Sequence, residues 1–241
     1  MNGYKFIDEV WALIPARSGS KRLKNKNLRK IQNLSLVARA ILNCKKSINI
    51  NRTFLSTDSP IIKQEGLKYG AEVPFLRSKK NSKDNSNDFD VINEFLVKVN
   101  KIEKKIPYYI IFIRPTTPIR SVLLVDKAIK KFKRLKKYDS LVSVHEMNEP
   151  VHKKFFIKNE KLKPVYKNLT LDQANNPRQN FKKSYTANGY LDLINTKNIV
   201  LKKNYLGRNC YPFVTQSTID IDDHLDFEIA KFFISQKNLN V

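Results

Sequence analysis

The sequence predicts an α/β protein built on a mainly parallel sheet with helices on both faces. Short apolar runs alternate with stretches of helical periodicity from Val10 to Val144, the pattern of strands joined by crossover helices. The run Tyr108–Ile113 is apolar throughout, as expected of a strand covered on both sides. With 241 residues, 41% of them apolar, fourteen Phe and ten Tyr, the chain can build one complete core.

The elements follow in order. Val10–Ala16 reads as a buried strand and leads into a polar loop that lasts to about Leu34. Leu36, Ala40, Ile41 and Cys44 recur at helical spacing. Thr53–Ser56 is a second strand, and Ser59–Pro60 starts a helix with Ser at the cap and Pro in the first turn. Gly70 closes that helix and Val73–Leu76 reads as a third strand. Asp88 or Asp90 is placed to cap a helix carrying Val91, Phe95 and Val99. After Tyr108–Ile113, Leu123 to Lys137 is amphipathic and Ser140–Val144 is the next strand.

From His145 to about Thr186 the rhythm breaks into polar, basic sequence punctuated by Pro150, Pro164 and Pro177. So long an irregular stretch inside a compact domain implies a function, such as packing on another subunit or closing over a site. Order returns at Tyr190–Ile194, and Leu225 to Ile234 is an amphipathic helix. The expectation is one domain over 1–241 with 145–186 as an excursion. Ligands of such a sheet sit at the carboxyl ends of its strands, here after Ala16, Ser56, Ile113 and Val144.

Several classes are disfavoured. No apolar run approaches the roughly 20 residues needed to span a bilayer, and Met1 to Glu9 has two acids and no apolar core of a secretory signal. Cys44 and Cys210 lie far apart, without zinc spacing. These readings point to a cytoplasmic protein with no membrane partner. The net charge of +24 invites nucleic acid as a partner. The excess, however, is mostly Lys spread along the whole chain among many Asn and Ile, a compositional bias rather than a binding patch. No nucleic-acid partner is expected, although the charge would attract a polyanionic substrate.

The segment Ile14-Pro15-Ala16-Arg17-Ser18-Gly19-Ser20-Lys21-Arg22-Leu23-Lys24-Asn25-Lys26-Asn27 carries the chemistry. A strand enters a Gly/Ser turn, and five basic residues follow within ten positions. Backbone N–H groups of such a turn can cradle phosphate oxygens, and Arg17, Lys21 and Lys26 can approach a triphosphate from several sides. The segment is neither a P-loop nor a dinucleotide fingerprint, and taken alone a solvated basic loop remains an equal reading.

Pro15-Ala16-Arg17-Ser18-Gly19-Ser20-Lys21-Arg22 with Lys26-Asn27 resembles the signature of the acylneuraminate cytidylyltransferases. Further segments agree in the same order: Leu55-Ser56-Thr57-Asp58-Ser59, then Phe75-Leu76-Arg77 with Asp84 following, then Arg114-Pro115-Thr116-Thr117-Pro118-Ile119-Arg120. Asn188-Gly189 and Ile219-Asp220-Ile221-Asp222 complete the match, which spans about Val10 to Phe233. The resemblance implies a three-layer α/β/α nucleotidyltransferase fold, a homodimer using the excursion, and Mg²⁺-dependent transfer of CMP from CTP to the anomeric hydroxyl of an α-keto sugar acid, with pyrophosphate leaving.

Roles carried over by the resemblance place Arg17, Ser20 and Lys21 on the triphosphate, and Lys26 and Asn27 at the α-phosphate and ribose. Arg77 would read cytosine, whose carbonyl oxygen and ring nitrogen accept from a donor-only guanidinium. Asp220 and Asp222 would hold the metal; as alternate residues of a strand they would face the same side. Asp223 and Asp226 are read as flanking the last helix. Arg17, Lys26 and Asp222 are the expected catalytic residues.

Arg114, Arg178 and Asn188 are the expected sugar contacts. Two departures from the family pattern fall on that side, since Arg114 stands where the family has Gln and Thr186 where it has Arg. They suggest a modified nonulosonate, such as a legionaminic-type acid, as acceptor. A Kdo-type synthetase is the nearest alternative, and Leu23-Lys24-Asn25-Lys26-Asn27 disfavours it. A catalytically silent nucleotide- or nucleic-acid-binding module is the alternative from another class.

Overall fold

The computed structural model describes residues 3–236, so the outermost ends of the expected 1–241 domain lie outside the described residues. Strand β1 (Phe6–Pro15) comes first. A short ribbon of β2 (Lys30–Ile31) and β3 (Leu34–Ser35) follows, then α1 (Leu36–Lys46), β4 (Arg52–Ser56) and α2 (Pro60–Lys68). Next come α3 (Asp88–Glu103), β5 (Ile106–Phe112), α4 (Val122–Arg134) and β6 (Ser140–Glu146). The excursion holds β7 (Phe155–Lys158), β8 (Lys161–Pro164) and α5 (Leu171–Ala174). The chain returns through β9 (Tyr185–Asn195), α6 (Thr196–Val200), β10 (Cys210–Val214) and α7 (His224–Gln236).

The six-stranded sheet has the order β10-β6-β9-β5-β1-β4. Its pairings are parallel except those of β9, which runs antiparallel to both β5 and β6. Period-two alternation along β1 divides the core. Val10, Ala12 and Ile14 face α1 and α4 residues such as Val37, Ile41, Val125 and Ile129. Trp11 and Leu13 face Phe54 and the α3 residues Ile92, Phe95 and Leu96. Burying each of these large side chains contributes about 1.5–3 kcal/mol, and together they fix a three-layer arrangement.

A third cluster has a different purpose. Leu23 and Ile31 of the basic loop pack with Leu36, Ile221, Phe227, Ala230 and Ile234, so α7 is clamped onto the loop that follows β1.

Some local expectations change. Val73–Leu76 is not a strand: the chain makes one parallel bridge at Phe54–Glu72 and then leaves the sheet, because Pro74 has no N–H to continue the ladder. The cap of α3 is Asn87, whose side chain accepts from the Asp90 amide, while Asp88 is the first helical residue. Ser59 caps α2 as expected. The stretch 145–186 is more ordered than its composition suggests: its ends extend β6 and begin β9, and β7 and β8 form an antiparallel hairpin. Ile219–Asp222 is irregular backbone rather than strand.

Candidate active site

The Gly/Ser turn is built where β1 leaves the sheet. The Ala16 amide donates to the Ser56 carbonyl at 2.9 Å, keeping the exit of β1 beside β4. Asp58, just past β4, accepts from both the Ser18 amide at 2.9 Å and the Ser18 hydroxyl at 2.8 Å. Asn27 donates its side-chain amide to the Arg17 carbonyl at 3.0 Å, tying the far end of the loop back to its start. Between them Asn25 takes a left-handed φ of 55° and opens a tight 3₁₀ turn at Lys26–Leu28.

These contacts frame a cavity of about 620 Å³ at the carboxyl ends of β1 and β5. Its wall includes Arg17, Ser20, Lys21, Lys26, Asn27, Arg77, Arg114 and Asp222, eight of the eleven residues anticipated for the site. The cations are held by carboxylates. Arg17 donates to Asp84 at 2.5 Å, and Lys21 pairs with the other oxygen of the same carboxylate. Hydrogen bonds from Lys21 and then Arg17 hold the Asp84 carboxyl below its ordinary range. Lys26 reaches across to α7's approach, donating to the Ile221 carbonyl at 2.7 Å and to Asp222 at 3.3 Å.

Arg77 is different. Its amide donates to the Thr57 carbonyl at 2.8 Å, and the loop behind it is anchored by Glu94 of α3, which accepts from Ser78 and Asn81. The side chain is only 7% exposed, yet Nε and Nη2 have no hydrogen-bond partner. Burial lowers its pKa, partly opposed by Asp58 and Glu94. A desolvated, unsatisfied guanidinium is costly, and here it lines a cavity into which a ligand's acceptors can come.

Arg114 follows β5 and also lines the cavity. Its Nη1 donates to Asp192 at 2.8 Å and its Nη2 to Asp88 at 2.5 Å, and it lies over the Phe112 ring at 5.1 Å. Burial works against its charge, but Asp192 and then Asp88 outweigh burial and raise its pKa. Arg114 is at the expected place, but its terminal nitrogens already hold two carboxylates. Behind it, buried Arg120 donates to the Tyr190 and Arg114 carbonyls at 2.7 and 3.1 Å, with burial pulling its pKa down to about 10. The Thr116 carbonyl accepts from the Ile221 amide at 2.8 Å, which joins this turn to the segment before α7.

Three anticipated residues do not reach this wall. Asn188 is buried, its amide nitrogen donating to Thr215 at 2.7 Å and its oxygen accepting from the Tyr190 amide. Arg178 borders a separate depression with Glu146, Asn148 and Lys183. Asp220 faces Gly189, not the cavity: an added Cβ at Gly189 would lie 3.9 Å from its carboxylate. The same-face argument for Asp220 and Asp222 falls with the missing strand. Among the described residues no three His, Cys, Asp or Glu side chains form a metal cluster. Asp223 and Asp226 do cap α7, Asp226 accepting from the Asp222 and Asp223 amides. The histidines stay outside the cavity wall, His152 stacking on Phe181 and meeting Tyr166 at a tilt.

Sequence reasoning missed Asp58, Asp88 and Asp192. Each acts by a contact between residues at least 26 positions apart, and no local pattern signals such a pairing.

Known proteins resemble this chain over most of its length. A Campylobacter coli protein named "Post-translational flagellin modification protein B" is 29% identical over 97% of this chain and 98% of its own length. A CMP-N,N'-diacetyllegionaminic acid synthase from Campylobacter jejuni is 31% identical over 96% of this chain and 97% of its own. The N-acylneuraminate cytidylyltransferase of Escherichia coli is 29% identical over 95% of this chain, which spans 53% of that longer protein. Among solved structures, a CMP:2-keto-3-deoxy-manno-octonic acid synthetase complexed with CTP superposes with a TM-score of 0.70 at 15% identity. It covers 95% of this chain and 99% of its own, and shows the shared fold. The cytidylyltransferase profile matches residues 11–234, which include every strand from β4 to β10 and the whole cavity wall, and the chain belongs to the cytidylyltransferase family.

Proposed function

We propose that the cavity binds CTP beside a nonulosonic α-keto sugar acid and transfers CMP to the acceptor's anomeric hydroxyl, releasing pyrophosphate. The observation that carries this reading is Arg77: a buried guanidinium with two unpartnered nitrogens, in the same cavity as the Arg17–Asn27 phosphate loop. Cytosine presents acceptors to such a group. Arg17, Ser20 and Lys21 take the β- and γ-phosphates, replacing Asp84. Lys26, fixed by the Ile221 carbonyl, takes the α-phosphate, where charge grows as the acceptor oxygen attacks and the pyrophosphate oxygen departs. Positioning and charge neutralisation supply most of the rate in such transfers.

Asp222 at the cavity wall is the protein carboxylate that would hold Mg²⁺, which is commonly held by one or two carboxylates plus substrate phosphates. When bound, Mg²⁺ neutralises phosphate charge. Arg178 and Asn188 complete the acceptor side indirectly, by ordering the chain on either side of β9's start. The acceptor is of the legionaminic type, supported by the 31% identical Campylobacter jejuni synthase that matches nearly end to end. The protein acts in the cytoplasm as a homodimer; Phe156, Ile157 and Leu162 of the β7–β8 hairpin are 60%, 79% and 52% exposed, apolar surface suited to a second copy.

Pyrophosphate release is the test, measured with CTP, ATP, GTP and UTP against N-acetylneuraminic, legionaminic and pseudaminic acids. Turnover is expected with CTP and best with a legionaminic acid; a chelator should abolish it, and Asp222→Asn should lower it about a hundredfold or more. Equal use of UTP, clear preference for N-acetylneuraminic acid, chelator-resistant turnover, or an active monomer by light scattering would each remove the corresponding part.

A further inference from the structure

The helices on the two faces of the sheet differ in charge. On α3 the acids Asp88, Asp90, Glu94 and Glu103 outnumber Lys98 and Lys101. On α4 the balance reverses: Lys127, Lys130, Lys131, Lys133 and Arg134 are all exposed, while its one acid, Asp126, is buried. Lys136 and Lys137 continue the exposed cations past the helix end. The lysine excess is spread along the sequence but gathered in space on one outer helix, and none of these residues lines the cavity.

The protein itself does little to neutralise them. Asp126 is turned inward, accepting from the Ser47 hydroxyl and, at 2.8 Å, from the Asn49 amide. Lys133 pairs with Asp8 at 3.2 Å, and Lys131 lies over the Tyr211 ring at 5.6 Å. Among the described residues no carboxylate pairs with Lys127, Lys130, Arg134, Lys136 or Lys137. Lys127, Lys130, Lys131 and Arg134 fall at i, i+3, i+4 and i+7, which sets them on one stripe of the helix.

That stripe has an apolar end. Leu123 precedes Lys127 by four residues, on the same stripe, and is 80% exposed. Ile48 is 82% exposed and sits between Ser47 and Asn49, whose contacts with Asp126 hold it beside the start of α4. These are the two most exposed large hydrophobic side chains among the described residues. Exposed aliphatic tips beside a cationic stripe match a bilayer interface, where Lys and Arg meet lipid phosphates and the tips enter the acyl boundary. A nucleic-acid backbone offers phosphates but nothing for the tips, and the one aromatic residue of α4, Phe132, is buried rather than placed to stack on bases.

We propose that the outer face of α4, with Ile48 and Leu123, docks the enzyme on an anionic lipid bilayer. This departs from the sequence expectation of no membrane partner, which concerned spanning and secretion. Among the described residues no helix is long and apolar enough to cross a membrane, and a peripheral contact needs none.

Co-sedimentation with vesicles tests this, using phosphatidylcholine alone and phosphatidylcholine mixed with phosphatidylglycerol. The wild type should bind the mixed vesicles, more weakly as salt rises, and leave the neutral ones unbound. Each Lys or Arg beside an anionic surface raises partitioning about fivefold. Lys127→Gln/Lys130→Gln/Arg134→Gln should therefore weaken binding by about a hundredfold. Ile48→Ser/Leu123→Ser keeps the charge and should weaken it by about tenfold. A control, Lys101→Gln/Lys104→Gln/Lys105→Gln, removes the same charge at the end of α3 and should change binding by less than about threefold. All the positions but Lys105 are exposed, and melting curves establish that each variant is folded. No binding of the wild type to the mixed vesicles overturns the proposal, as does binding that survives the glutamine or the serine variant. An equal loss in the control would reduce the effect to net charge and overturn it too. Tighter binding to duplex DNA than to the mixed vesicles, lost in the same glutamine variant, would assign the face to nucleic acid instead. No arm of the test involves the cavity, so its outcome is independent of CTP transfer.

Discussion

Two arginines line the same cavity in opposite electrostatic states. Arg114 is enclosed by Asp192, Asp88 and the Phe112 ring, and its charge is raised in stability despite burial. Arg77 is more buried by solvent exposure, yet two of its nitrogens have no partner, and burial lowers its pKa. A charge that is fully partnered within the protein supports the wall; one left unpartnered gives the protein a reason to bind something. The same residue type thus serves as strut in one place and, under the proposed function, as receptor in the other.

The comparison is easiest to break at Arg114. Arg114→Ala leaves Asp192 buried without its counter-charge, and denaturant titration should show a loss of about 3–5 kcal/mol. A variant as stable as the wild type would show that the wall does not depend on the pair. At Arg77 the balance reverses. Arg77→Ala removes an unsatisfied group, so stability should change by less than about 1 kcal/mol. The KM for CTP should rise tenfold to hundredfold, equivalent to about 1.5–3 kcal/mol of charged hydrogen bonding. Unchanged nucleotide kinetics would make Arg77 a second structural arginine.

A smaller effect sharpens the contrast from behind the Arg114 wall. Gly189 has a φ of +68°, and an added Cβ would lie 3.1 Å from the Thr117 hydroxyl and 3.9 Å from the Arg114 side chain. Gly189→Ala should cost about 1–2 kcal/mol in melting experiments and should disturb the acceptor's KM while leaving the choice among nucleotides intact. A variant that alters nucleotide choice would join the two walls into one unit.

The amino-acid order alone carried the layered α/β class, because alternation along Val10–Ile14 and helical spacing from Leu36 to Cys44 are local and each element buries its own apolar face. It carried the basic Gly/Ser turn as well, since that turn is contiguous, and the resemblance to the acylneuraminate cytidylyltransferases singled out Arg77, Arg114 and Asp222, which the fold brings to the cavity wall. The reversal of β9 between β5 and β6 was not legible, because an apolar run reads the same in either direction. Nor was the break after Glu72, where Pro74 overrides an otherwise strand-like sequence. Folding alone gave the arginines their different states. Asp88 and Asp192 are 26 and 78 positions from Arg114, and only the stacking of α3 and β9 against the end of β5 brings them to it. For Arg77 the deciding fact is that no carboxylate arrives within hydrogen-bonding reach of Nε and Nη2. Charge pairing depends on distances of a few ångström between residues remote in sequence, so it is settled only once the chain has packed.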